Sequence, residues 1–196
     1  MKWGGSIALL LLAAATAAVA ASAHTRASPS ASRCGGQLWH LKTLSDPQRT
    51  KVALTPKTTT IGVIAGKPFP RPIPTRRRTP FQRQNWEVVA QVTAFKLEGP
   101  GLRLALYDNG TYMNAVIPTP TCLTKTSRAR AAITAAWNMF GNGCTRPTRE
   151  WQSLGAIMYV RGVGFWGERR PERGAAANGA QLYPVTGFRF VVGCRR

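Results

Sequence analysis

The sequence predicts a mainly β chain: an OB-fold-like five-stranded Greek-key barrel with one capping α-helix, preceded by a signal peptide and a basic Pro-rich segment. Three observations carry this. From Trp86 to Val191 the chain reads strand, strand, strand, helix, strand, strand, which is the chain order of that barrel. A single apolar stripe at spacings of three and four sits in the middle of the order. Runs with two-residue alternation, closed off by turn residues, flank it. The expected division is 1–23 signal peptide, 24–80 N-terminal extension and 81–196 barrel.

In the first run, Trp86, Val88, Ala90, Val92 and Ala94 fall on one face, and Val89, Gln91, Thr93, Phe95 and Leu97 on the other. It is long for a strand, as the bent first strand of a small barrel needs to be. Glu98-Gly99-Pro100-Gly101 is a turn; Leu102, Leu104 and Leu106 then alternate with Arg103, Ala105 and Tyr107. Asp108-Asn109-Gly110 signals a hairpin, because Asn and Gly tolerate the positive φ of a primed turn. Tyr112 to Ile117 forms the third strand, ended by Pro118 and Pro120. The helix is capped by Thr126 or Ser127 and carries Ala129, Ala132, Ile133, Ala136, Trp137 and Phe140 on one stripe, with Trp137 and Phe140 plugging the barrel; Gly141-Asn142-Gly143 stops it. Ala156 to Trp166 and Leu182 to Val192 are the last two strands. Gly162-Val163-Gly164 marks a bulge or bend rather than a phosphate loop, since a strand and not a helix follows.

Ahead of the barrel, Lys2, the apolar stretch Ile7 to Val19 and Ala21-Ser22-Ala23 have the layout of a cleaved secretory signal. Arg33 before Cys34 excludes a lipidated N-terminus there, since lipidation needs a small residue at that place. Residues 38–63 suggest one or two short strands or a helical turn. From Lys67 to Pro80, Pro68, Pro70, Pro72, Pro74 and Pro80 forbid helix and central strand, giving either a stiff solvated connector or a basic arm along an anionic partner.

All four cysteines follow the signal, so two disulfides are expected in an oxidising compartment. Three pairings are possible; Cys122–Cys144, stapling the helix to the strand before it, with Cys34–Cys194 closing the chain end to end, is the favoured one. The spacings match no CxxC metal pattern, and no metal or cofactor is expected. The formal charge is +20, from 27 Lys plus Arg against 7 Asp plus Glu. Such an excess attracts polyanions, although a generally Arg-rich composition produces the same number.

Lys42-Thr43-Leu44-Ser45-Asp46, Phe95-Lys96-Leu97-Glu98 with Leu104 to Asp108, Met113, Ile117-Pro118-Thr119-Pro120-Thr121-Cys122, Gly162 to Phe165, Asn178 and Leu182-Tyr183-Pro184-Val185 form a pattern spread over residues 38–194. The pattern resembles a group of uncharacterised secreted bacterial proteins. That resemblance implies a compact exported β-barrel domain and no assigned activity. Acidic residues and a histidine of the group's pattern are replaced here by Gly99, Pro100, Arg169, Arg170 and Tyr183, so a metal or catalytic site built from them would be lost in this chain.

Enzyme readings find few suitable side chains. His24 and His40 both precede the barrel, and His40 near Asp46 has no nucleophile signature beside it. The carboxylates Glu87, Glu98, Asp108, Glu150, Glu168 and Glu172 lie mostly among arginines, which suits ion pairs better than acid catalysis. No catalytic residue is assigned. One alternative is a metal-dependent nuclease or phosphodiesterase, with Asp108 and Glu98 near a metal and Arg103 gripping phosphate. Binding fits better. Barrels of this kind take extended ligands across the face of their second and third strands. Arg103, Tyr107 and Tyr112 are candidates for that face, and Arg169, Arg170 and Arg173 for its rim, although the two tyrosines also suit a cross-strand pair. The expected function is weak binding of a wall polymer, nucleic acid or anionic surface by a secreted, non-catalytic protein. A structural envelope-associated protein without a specific ligand is the third reading.

Overall fold

The computed structural model describes residue 1 and residues 34–194. The expected signal peptide, Met1 apart, lies outside the described residues. The chain divides into two units, Met1–Ala31 and Ser32–Arg196, and every element below belongs to the second.

Six strands form one sheet: β1 (Ala53–Thr58), β2 (Gln84–Glu98), β3 (Gly101–Asp108), β4 (Thr111–Pro118), β5 (Gln152–Trp166) and β6 (Ala180–Val192). Among the described residues three α-helices accompany them: α1 (Trp39–Lys42), α2 (Ile61–Ala65) and α3 (Arg130–Gly143). The sheet order is β1-β2-β3-β4-β6-β5, and β5 pairs back onto β2, so the sheet closes into a ring. The strand count is six, not the expected five. The added strand is β1, parallel to the start of β2 through Ala53–Gln84 and Thr58–Glu87. It falls within residues 38–63, where one or two short strands or a helical turn are expected, and it is mostly exposed and contains Pro56, as an edge strand allows.

The two faces of β2 change places partway along. Val88, Ala90 and Val92 point inward, but the register against both β3 and β5 shifts between Val92 and Ala94, and Phe95 is then fully buried in the core. One extra residue in a strand moves all following side chains to the opposite face, which is why Phe95, opposite Val92 by simple alternation, turns into the same core. The β3–β4 turn is as expected, with Asn109 and Gly110 both at positive φ (44° and 78°).

Helix α3 starts at Arg130 with no side-chain cap, so neither Thr126 nor Ser127 caps it. Thr124 and Ser127 instead shape the preceding turn, where the Ser127 N–H donates to the Thr124 carbonyl. Ile133, Ala136 and Phe140 are buried; Trp137 is only partly so. Phe140 is the plug, with its ring 5.1 Å from Phe95 and 6.2 Å from Phe188.

The cysteine pairs are Cys34–Cys122 and Cys144–Cys194, not the favoured Cys122–Cys144 and Cys34–Cys194. A disulfide needs Cα atoms within about 7 Å. The 14-residue α3 between Cys122 and Cys144 is a rod of about 21 Å, which holds them apart. Cys144 instead meets the end of β6, where its Cα lies 4.5 Å from that of Cys194.

The segment from residue 34 to 80 belongs to the same core as the barrel, supplying Leu44, Val52, Ile61 and Ile64. The change at residue 80 is one of composition. Within the Arg76-Arg77-Arg78 run, Arg77 is wholly buried: Nε and Nη2 donate to Asp46 Oδ2 at 3.0 and 2.8 Å, Nη1 to the Gln82 carbonyl, and Nη2 to the Leu41 carbonyl. The tract is therefore neither a solvated connector nor a free arm at this point. Burial lowers the pKa of Arg77, and the hydrogen bond and charge of Asp46 oppose that shift. Among the described residues no helix is long and apolar enough to cross a membrane.

Candidate functional site

On β3 the leucines 102, 104 and 106 face the core, which turns Arg103, Ala105 and Tyr107 outward beside Val116, Asn114 and Tyr112 of β4. This outer face is the surface expected to carry a ligand. Most of it is covered by the chain itself. Leu41 of α1 packs with Val116, Phe165 and Tyr183 in a small second core, with Leu38 and Trp39 against it. The β5–β6 loop, residues 167–179, covers the next row. A Cβ on Gly174 would lie 2.6 Å from that of Ala105, and its φ of +74° also favours glycine. Asn114, with its amide oriented to suit its neighbours, donates to the carbonyls of Arg173 and Gly174 and accepts from Arg103 Nη1 at 3.1 Å.

What stays open is a cleft of about 220 Å³ lined by residues from α1, the end of β2, β3, β5, the β5–β6 loop and β6. Arg103 lines it and links its two sides. Nη2 reaches Glu98 Oε1 at 2.9 Å and Nη1 reaches Glu172 Oε1 at 2.6 Å, while its Nε–H is buried without an acceptor. Lys96 lies 2.7 Å from Glu98 Oε2, and Arg170 pairs with Glu168. Lys42 differs from these cations. It forms no ion pair among the described residues, and its Nζ sits 5.3 Å and 5.4 Å from the ring centroids of Phe165 and Tyr183. Burial lowers its pKa, the positive charge of Arg103 lowers it further, and Glu168 opposes both. The Tyr183 hydroxyl is pushed the other way: burial raises its pKa well above the ordinary phenol value, with Arg103 acting against the shift and Glu98 with it. A half-buried ammonium facing a guanidinium is a place where an anion removes repulsion and replaces lost solvation.

The structure brings Arg103 and Arg170 into this cleft and leaves the other candidates outside it. Tyr107 and Tyr112 pair across the strands at the far hairpin, rings 4.9 Å apart. Arg169 lies over the Phe69 ring and donates to the Ala177 carbonyl. Arg173 lies over the Trp151 ring. The sequence names Lys42 within the resembled pattern and Glu172 among the carboxylates without placing either at a ligand face, and it does not mark Gln181; only topology gathers the three. Of the five positions that depart from the resembled group's pattern, Arg170 and Tyr183 line the cleft.

Glu98 and Asp108 flank opposite ends of β3, seven residue steps from Gly101 to Asp108, or about 23 Å at strand rise, so they cannot share a metal. Among the described residues no group of three or more His, Cys, Asp and Glu could hold a metal ion. His40 is exposed, and Asp46 is committed to Arg77.

No family model matches the chain, and no curated protein matches it. Among solved structures, a match is a crystal structure assigned as an aspartyl-tRNA synthetase from Leishmania major Friedlin, at 11% identity and a TM-score of 0.43, covering 72% of this chain and 22% of that one. A likeness at that distance carries no weight for fold or function.

Proposed function

We propose that the closed sheet is an OB-type barrel, and that the chain is a secreted bacterial protein without catalysis of its own that binds an anionic ligand, either a cell-surface polymer or a nucleic acid. The ring order supports the first part: β2, β3, β4, β6 and β5 close in turn, with β4 and β6 parallel. Two disulfides in one small unit fit an oxidising compartment. The observation that carries the binding reading is Lys42, half-buried in the cleft beside Arg103 and outside any ion pair among the described residues. The wider surface adds to it. Asp46, Glu87, Glu98, Glu168 and Glu172 are each held by a lysine or arginine, and the net charge of +20 is the excess of cations over all seven carboxylates.

Retention on immobilised heparin and on immobilised DNA, measured against salt, tests this reading. Each phosphate contact contributes a log–log slope of about −0.7 to −0.9, so steep release by salt is the expected result. Flow-through at low salt on both matrices refutes it. Metal-dependent degradation of the DNA would refute the non-catalytic part.

A further inference from the structure

We infer that the cleft is a subsite for one carboxylate-bearing sugar residue, of the uronic acid kind, within a cell-surface polysaccharide; this rests on the anion-binding reading above. The lining sorts into three kinds of surface, and each restricts the ligand. Lys42 and Arg103 offer only donors and positive charge, so the ligand must bring an anionic acceptor. Glu98, Glu168 and Glu172 border the same cleft and offer only acceptors, so the rest of the ligand must bring donors. Sugar hydroxyls do this. A phosphodiester strand would set oxygen acceptors against those carboxylates at every step, with like-charge repulsion added. The Gln181 amide, which donates and accepts, suits a hydroxyl as well.

Leu38 and Ile73, both partly exposed, supply the third surface, an apolar wall for the C–H face of a sugar ring. The cavity of about 220 Å³ lies below the roughly 300–1,000 Å³ of pockets for drug-sized ligands, which leaves room for a single ring. A carboxylate on one side, hydroxyls on the other and an apolar ring face between them match these surfaces in one small unit.

The test is an amide NMR titration of the disulfide-intact protein with methyl glucuronide, methyl glucoside, acetate and inorganic phosphate. The expected result is saturable shifts for the glucuronide alone in the millimolar range, centred on Lys42, Gly167 and Gln181. Lys42→Met and Lys42→Gln should each weaken it at least tenfold while keeping the spectral dispersion of a folded protein. Arg189→Ala, on the other outer face where Arg189 stacks on Tyr159, should leave it unchanged. Equal binding of acetate or phosphate overturns the inference by showing an anion site without sugar recognition. Equal binding of the glucoside overturns it by making the carboxylate irrelevant. Salt-dependent retention on heparin or DNA with no glucuronide shifts overturns this inference and leaves the wider reading standing. Glucuronide shifts without retention on either column would overturn only the polyanion part of that reading.

Discussion

Replacing Arg77 with methionine removes a guanidinium that is 1% exposed and donates to three acceptors in two parts of the chain: Asp46 and the Leu41 carbonyl in one, the Gln82 carbonyl in the other. Methionine replaces much of the volume and none of the donors. The Asp46 carboxylate is then left buried, holding only the Gln48 N–H at 3.0 Å. Breaking a buried ion pair by removing one partner costs about 3–5 kcal/mol. The stranded Gln82 carbonyl costs about 1–3 kcal/mol taken alone, while the Leu41 carbonyl keeps the Leu44 N–H at 3.4 Å, and neighbouring effects do not add fully. A total of about 4–6 kcal/mol follows, against a usual domain stability of about 5–15 kcal/mol. The assay is urea unfolding followed by tryptophan fluorescence, with the midpoint and slope both reported. Arg77→Lys keeps the charge but loses the planar fork, so it should fall between wild type and Arg77→Met. Arg76→Met and Arg78→Met, at exposed neighbours, should stay within about 0.5 kcal/mol of wild type. The reasoning fails if Arg77→Met lies within about 1 kcal/mol of wild type, or if all three variants are weakened alike.

The disulfides enclose separations of 88 and 50 residues, so loop-closure entropy gives each about 4–5 kcal/mol; Cys34→Ser with Cys122→Ser, and Cys144→Ser with Cys194→Ser, should each lower the urea midpoint accordingly. Peptide mapping without reduction would show the two pairings directly. Gly164→Ala places a Cβ 2.2 Å from the Phe81 carbonyl oxygen, which is backbone and also accepts from the Trp86 indole N–H; a loss of about 3 kcal/mol or more, or failure to accumulate folded protein, is expected in the same titration. Tyr183 is held neutral in the fold by burial, so its folded pKa exceeds the unfolded value of about 10. Its contribution is present below that value and is lost as pH rises through and beyond it, because only the unfolded state releases the proton there. Stability should therefore fall above about pH 10, Tyr183→Phe should flatten the fall, and the tyrosinate absorbance that Tyr183→Phe removes should appear only on unfolding.

The strands and the plug were legible because their signals are local. Leu102, Leu104 and Leu106 alternate cleanly, Asn109-Gly110 fixes the hairpin, and Ile133, Ala136 and Phe140 recur at helical spacing. What could not be read depends on distant segments meeting. The shift near Thr93 that sends Phe95 inward needs two partner strands to define it. Arg77 sits in a charge run, and nothing local says that Asp46 waits for it 31 residues earlier. The second core draws Leu41, Val116, Phe165 and Tyr183 from four separate stretches, and covers the face on which a ligand was expected. Arg103 was visible as an outward cation on a core strand. Lys42 was not, because its functional character comes from Phe165, Tyr183 and Arg103, none of them near it in the chain.

The cysteine connectivity also bears on how the chain is made. First joins second and third joins fourth, so the two covalent rings follow one another and never overlap. A chain emerging amino end first presents Cys34 and Cys122 before either of the others exists outside, and an oxidant that links thiols in order of appearance then produces the native bonds with no reshuffling. The amino-terminal strap would be tethered just past β4 before α3 and the last two strands arrive to complete the face it covers.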